Sequence, residues 1–174
     1  MASMSHRGLQ IAVVGAGVCD RDLESLAYEV GGAIARAGAL LVCGGREGVM
    51  AAACAGAREA GGLTLGILPG ADGDDSAPNP DVAIAVFTGF GQGRNLPVVL
   101  SGDAVIAVGG GWGTLSEIAL ALKHGRPVVL LRSWALRRPD GAAEPLLRVA
   151  SSAAEAVALA RELAGGAPAG PESA

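Results

Sequence analysis

Short apolar runs alternate with amphipathic stretches along almost the whole chain. The runs predict six strands, at 9–14, 39–43, 63–68, 82–87, 103–108 and 127–131. The intervening stretches have apolar positions at helical spacing, and they predict helices at 20–37, 47–60, 94–101, 113–124 and 152–163. Asp20 or Asp22 is placed to cap the first of these helices.

The strands are almost continuously apolar, which is typical of a sheet covered on both faces. Their alternation with helices predicts right-handed βαβ units. We therefore expect an α/β fold with a single doubly wound, mostly parallel, Rossmann-like sheet and helices on both faces. One domain should span 9–164, with flexible tails at 1–8 and 165–174. The stretches 70–81 and 132–144 read as loops, and 145–148 is ambiguous.

The amino-acid composition limits what the protein could bind and where it could reside. Hydrophobic residues make up 51% of the 174 residues and charged residues only 17%, which favours a homo-oligomer. The net charge of −4 argues against a protein that binds nucleic acid non-specifically. No apolar run approaches the ~20 residues of a membrane helix. The three cysteines, Cys19, Cys43 and Cys54, have no CxxC spacing, so we expect a reducing cytoplasm and neither a disulfide framework nor a zinc site. We expect no other metal site and no resident cofactor.

Glycines follow several of the predicted strands. In a doubly wound fold, ligands bind beyond the carboxyl ends of the strands, so these glycines should converge on one ligand site. The candidates are Gly15, Gly17, Gly44, Gly45, Gly48, Gly110, Gly111 and Gly113.

The segment from Gly109 to Glu117 is the most informative of these turns. It joins an apolar run to a helix, so its uncovered N–H groups should form a cradle for a phosphate or another anion. Thr114 fits either a helix N-cap or a phosphate ligand, and Trp112 either a lid that stacks on the ligand or an anchor for the loop. Glu117, in the expected opening turn, either serves the site or complements the helix dipole.

The common nucleotide-binding classes fit poorly. The first turn supplies Gly15 and Gly17 of a G-x-G-x-x-G motif, but Asp20 stands at the third glycine. No carboxylate ends the second strand, which disfavours a dehydrogenase that binds NAD. The sequence also has no G-x-x-x-x-G-K-[ST] motif and no G-x-S-x-G motif, which excludes P-loop and serine-hydrolase chemistry.

The segment from Gly110 to Glu117 resembles the P-G-G-x-G-T-x-x-E motif of the Lonely Guy (LOG) family and of its relatives that resemble molybdenum-cofactor carriers. Gly109 stands where the family has proline. The stretches 44–50 and 66–69 are similar to the family's second glycine turn and third-strand ending. Arg94 lies where the family carries a functional arginine, and Asn95 follows it where cytokinin-activating members have lysine.

This resemblance implies hydrolysis of the N-glycosidic bond of a nucleoside 5′-monophosphate to a base and ribose 5-phosphate. Arg94 and Glu117 would be catalytic, with Arg94 on the departing base or the phosphate and Glu117 on the ribose hydroxyls or the water. Asn95 and Thr114 would join the glycines around the ligand. Glycosidases usually use two carboxylates, and Asp20 is the second candidate. The other interpretation is a non-catalytic carrier or sensor of a molybdopterin-type cofactor or a nucleotide signal. Relatives in the family associate as dimers, so the resemblance also implies a homodimer.

Overall fold

The computed structural model describes residues 7–166, which contain seven strands and five helices. The strands are β1 Gln10–Gly15, β2 Leu40–Cys43, β3 Thr64–Leu68, β4 Ile84–Phe87, β5 Ala104–Val108, β6 Val128–Leu131 and β7 Leu147–Ala150. The helices are α1 Arg21–Arg36, α2 Val49–Glu59, α3 Asn95–Ser101, α4 Trp112–Lys123 and α5 Ala153–Gly166. A 3-10 turn, Gly91–Arg94, leads into α3.

All seven strands form one parallel sheet in the order β4-β3-β2-β1-β5-β6-β7. The predicted α/β fold is therefore confirmed. The chain leaves β1 in one direction, towards β2, β3 and β4, and then returns to β5 on the other side of β1. The loops after β1 and β5 therefore diverge, and the carboxyl ends of these two strands form the crevice in which such sheets bind ligands.

The central strands bury both of their faces. Ile11 and Val13 point into a core with helices α1, α2 and α5, whereas Ala12 and Val14 point into a core with α3 and α4. Successive side chains of a strand face opposite ways, so continuous apolar strands can serve two helical layers at once. This double coverage explains why the strands lack polar alternation.

Helices α1 and α2 pack with their backbones in contact. A Cβ on Gly31 would lie 1.8 Å from the Ala53 carbonyl oxygen, and one on Gly56 would lie 2.0 Å from the Tyr28 carbonyl oxygen. Only glycine fits at these two positions. The close packing fixes α2, and with it the glycine turn that precedes α2, beside the carboxyl end of β1.

One strand was not predicted, and two predicted boundaries were wrong. The ambiguous stretch 145–148 contributes to β7, which pairs with β6 at the sheet edge. Strand β4 begins two residues later than expected and is exposed, because it forms the other edge. Helix α2 begins at Val49 rather than at 47, since Gly48 has a φ of +65°.

The predicted tails are only partly within the described residues. Helix α5 continues through Gly165 to Gly166, where a flexible tail was expected, and Arg7 pairs with Asp103. The remaining parts of both predicted tails, 1–6 and 167–174, lie outside the described residues. Within 7–166, no helix combines the length and the hydropathy needed to cross a bilayer.

Candidate active site

A cleft of about 280 Å³ lies between the carboxyl ends of β1 and β5. It is lined by Gly15, Ala16, Gly17, Met50, Gln92, Arg94, Asn95, Gly111, Gly113, Thr114 and Glu117. Most of the residues that the sequence nominates for ligand binding or catalysis thus meet in one place. A larger cavity of about 570 Å³ lies under the loop after β6, but it is mostly apolar and away from the glycine turns.

The turn after β5 exposes the amino end of α4. Gly109 and Gly110 have φ angles of +57° and +115°, which bring the chain sharply from the strand into the helix. The helix N-cap is Gly111, and no side chain caps the N–H groups of the first turn. These groups, together with the helix dipole, favour an anion in the cleft. Thr114 is the third helical residue, so its interpretation as the N-cap is wrong.

The departure from the LOG motif at Gly109 has a structural cause. Proline fixes φ near −65° and has no N–H group. Gly109 has a positive φ, and its N–H donates to the Leu131 carbonyl oxygen at 3.1 Å. A Cβ at this position would also lie 2.4 Å from the Leu23 side chain. The turn in this chain therefore has a path that the family's proline cannot follow.

Glu117 is a buried carboxyl group in the cleft wall. It lies in the second turn of α4, not in the opening turn, and only 8% of its surface is exposed. Burial raises the pKa of Glu117 to about 7, and the positive charge of Arg94 opposes this rise. Within residues 7–166 the Glu117 side chain makes no hydrogen bond or ion pair with the protein. It is therefore available to a ligand or to a water molecule.

Arg94 lines the same cleft as Glu117 and lies at the end of the 3-10 turn. Its guanidinium rests on the second glycine turn, since a Cβ on Gly44 would lie 2.0 Å from Arg94 Nη1. Burial lowers the pKa of Arg94, and the charge of Glu117 counteracts this effect. Gly44 thus serves the site by making room for the arginine rather than by lining the cleft.

Four other predicted ligand contacts also lie outside the cleft wall. Gly45 packs against Gly66, Gly48 packs against the backbone of the first turn, and Gly110 packs against the Thr114 side chain. Trp112 is 78% exposed and contacts Trp134 in a tilted arrangement, with ring centroids 5.2 Å apart.

Trp134 is a residue that the sequence interpretation missed. Its Nε1 donates to the Gly111 carbonyl oxygen at 3.3 Å, so the tryptophan pair ties the loop after β6 to the start of α4. Gln92 and Met50 were also missed as cleft residues. Gln92 lies between two glycines, two residues before Arg94. This position is the feature of the sequence that could have indicated a residue of the cleft.

Asp20 does not join the site. Its side chain accepts the N–H of Leu23 at 2.8 Å and caps α1, as the alternative capping interpretation predicts. Among the residues that line the cleft, Glu117 is the one carboxylate. The second carboxylate that most glycosidases use is therefore missing from this wall.

The geometry and the sequence now identify the family. The chain belongs to the SLOG cluster4 family. The family model matches residues 8–162, nearly the whole of the described chain. This match confirms the resemblance to the LOG family that the glycine motif at 110–117 indicates.

Two solved structures are similar over almost their full length. A molybdenum cofactor binding protein from Rippkaea orientalis has a TM-score of 0.82 and 40% identity, covering 91% of this chain and 99% of that one. The molybdenum cofactor carrier protein from Chlamydomonas reinhardtii has a TM-score of 0.80 and 37% identity, with the same coverage.

A third relative is more distant. A cytokinin riboside 5′-monophosphate phosphoribohydrolase from Mycobacterium tuberculosis is 33% identical over 120 residues, which are 65% of this chain and 64% of that protein. The proteins to which this chain is similar thus include two named for molybdenum cofactor binding or carriage and one named as a phosphoribohydrolase.

Proposed function

We propose that this protein binds a phosphorylated small molecule of the pterin or nucleotide type and carries it without cleaving it. The observation that carries the proposal is that the uncapped amino end of α4 and Arg94 line one cleft. Backbone N–H groups and a guanidinium are the usual donors for phosphate oxygens. The similarity to molybdenum cofactor carriers supports a molybdopterin-type cargo.

The set of carboxylates favours carriage over hydrolysis. Cleavage of a glycosidic bond usually needs one carboxyl group to protonate the leaving group and a second to activate water or attack the sugar. Glu117 is the single carboxylate among the cleft residues, Asp20 is engaged as a helix cap, and Glu47 lies in the wall of the adjoining hollow, beyond Arg94. Asn95 replaces the lysine that the LOG resemblance associates with cytokinin activation.

One observation favours the hydrolase as a second candidate. With a pKa of about 7, Glu117 is poised to exchange a proton near neutral pH. In that reaction the C1′–N bond breaks, a water oxygen bonds to C1′, and the base leaves with a proton. Glu117 would position the water or the ribose hydroxyls, and Arg94 would stabilise the phosphate or the leaving base.

Binding and turnover are separated by one set of experiments with AMP and N6-substituted AMP. Calorimetry measures binding, and chromatography measures free base. We expect binding without base release, and we expect Arg94→Gln to weaken binding at least tenfold, because a charge-assisted hydrogen bond contributes about 1.5–3 kcal/mol. Arg161→Gln, on the exposed face of α5, is the matched control.

The outcomes discriminate between the two candidates. Base release that Glu117→Gln abolishes, with binding retained, would establish the hydrolase and overturn the carrier. Loss of binding in Glu117→Gln would make the carboxyl group a ligand contact. If these nucleotides and a phosphorylated pterin all fail to bind the wild-type protein, both candidates are wrong.

A further inference from the structure

A second hollow of about 480 Å³ adjoins the cleft and shares part of its wall. Gly17, Met50, Gln92 and Arg94 line both spaces. The second hollow extends over the turn before α2, where it is lined by Val18, Arg46, Glu47, Pro69 and Gly91. A ligand whose phosphate lies at the amino end of α4 can therefore extend past Arg94 into this second space.

Arg46 and Glu47 bring opposite charges to the wall of this hollow, and both residues are exposed. Within the described chain, neither side chain forms an ion pair or a hydrogen bond. Arg94 senses the positive charge of Arg46, which adds to the effect of burial in lowering the pKa of Arg94. Both arginines line the hollow together with Glu47, so the hollow has strong donors and a strong acceptor.

The backbone that carries these two side chains is held in place. The buried residue Asn79 donates its Nδ2 to the Arg46 carbonyl oxygen at 2.9 Å, and its own N–H donates to the Gly45 carbonyl oxygen at 2.9 Å. Gly48 ends the turn with a positive φ, and its backbone lies directly against that of Gly17. A fixed backbone lowers the entropic cost of placing polar side chains on a ligand.

A guanidinium beside a carboxylate complements one particular edge of a heterocycle. The 2-amino-4-oxopyrimidine edge presents a carbonyl oxygen next to a ring N–H and an amino group. The oxygen accepts from a guanidinium, while the N–H and the amino group donate to a carboxylate. Adenine lacks this carbonyl and this donor pair. The apolar groups of Val18, Met50 and Pro69 in the same hollow suit the faces of a flat ring.

We propose that Arg46 and Glu47 form a recognition site for a 2-amino-4-oxopyrimidine edge and select ligands that carry it. This inference rests on the proposed function, since it takes the phosphate of the ligand to lie at Arg94 and α4. The same edge occurs in guanine nucleotides and in pterins. The site therefore selects a phosphorylated guanine or pterin over a phosphorylated adenine.

The test is a set of dissociation constants for GMP, IMP and AMP with the wild-type protein and Glu47→Gln. GMP and AMP differ at the edge in question, and IMP keeps the carbonyl and the ring N–H but lacks the amino group. We expect GMP to bind at least tenfold more tightly than AMP, with IMP between them. Glu47→Gln should remove most of the GMP preference and leave AMP binding unchanged.

The control variant is Glu29→Gln, which removes an exposed carboxylate from α1, outside both spaces. The dissociation constant of a phosphorylated pterin is measured in parallel, because pterins and guanine nucleotides both carry the 2-amino-4-oxopyrimidine edge. Whichever of the pterin and GMP binds more tightly indicates the class of the cargo. The proposal is supported whichever of the two binds more tightly, provided that Glu47→Gln weakens the binding of both.

Two results would overturn the proposal while leaving the phosphate site intact. One is equal binding of GMP, IMP and AMP with no effect of Glu47→Gln. The other is that ADP and GDP both bind more tightly than AMP and GMP, and that Arg46→Gln removes this difference whereas Glu47→Gln does not. Arg46 would then bind a second phosphate rather than the edge of a base. In both cases Arg94→Gln would still weaken every ligand, so failure here is separable from failure of the proposed function.

Discussion

The buried carboxyl group of Glu117 makes a quantitative prediction about stability. Folding raises the pKa of this carboxyl group from 4.5 to about 7. At about 1.4 kcal/mol per pKa unit, keeping the group charged in alkaline solution lowers the free energy of unfolding by about 3 kcal/mol. Glu117→Gln keeps the shape of the side chain and removes its charge. It should therefore stabilise the fold, and the amount should depend on pH.

The sign follows from proton linkage. Because folding raises the pKa of Glu117, the folded state holds the proton more tightly than the unfolded state. The favourable contribution of this group is complete below about pH 4.5, and it is lost as the pH rises towards 7. The stability difference between Glu117→Gln and the wild type should accordingly widen by about 2.5 kcal/mol from pH 5 to pH 8.

The assay is thermal or urea unfolding in phosphate-free buffer at these two pH values. For a chain of this length, the difference in melting temperature should widen by about 5–10 °C. Glu162→Gln, an exposed carboxylate on α5, serves as the control and should show no such divergence. A difference between Glu117→Gln and the wild type that stays constant with pH would refute the assignment of a raised pKa to Glu117.

Three further predictions test the packing, the turn and the thiols. Gly31→Ala should lower stability by about 3 kcal/mol in urea unfolding, because its Cβ would meet the backbone of α2, whereas Gly17→Ala, with open space at its Cβ, should be neutral. Gly109→Pro should cost about 3 kcal/mol in the same assay, and a neutral effect would show that the turn can accept the family's proline. Titration with Ellman's reagent should modify only Cys19 in the folded protein and all three cysteines after unfolding, and a second fast thiol would contradict the described burial.

The order of strands and helices was predictable because strand and helix periodicities are local properties. The central strands are covered on both faces, so their apolar runs are unbroken and easy to recognise. The edge strands were harder to predict. Strand β7, Leu147–Ala150, has an arginine and is partly exposed, so nothing in its short pattern separates it from a loop.

The composition of the cleft was only partly readable from the sequence. Glycines after successive strands predicted where a ligand would lie, since parallel strands end at the same edge. Arg94 and Glu117 line one cleft because the chain crosses over and places β5 beside β1. Neither the glycine motif that contains Glu117 nor the segment around Arg94 predicts this by itself. The roles of Gly44 as space for Arg94 and of Trp134 as an anchor required coordinates. The homodimer and the cytoplasmic location remain predictions.

The central claim is that a ligand phosphate lies on the amino end of α4 beside Arg94. A crystal structure with AMP soaked at millimolar concentration tests this claim most directly. We expect phosphate oxygens within hydrogen-bonding distance of the backbone N–H groups at 111–114 and of the Arg94 guanidinium. A phosphate bound elsewhere, with this cleft filled only by water, would contradict it.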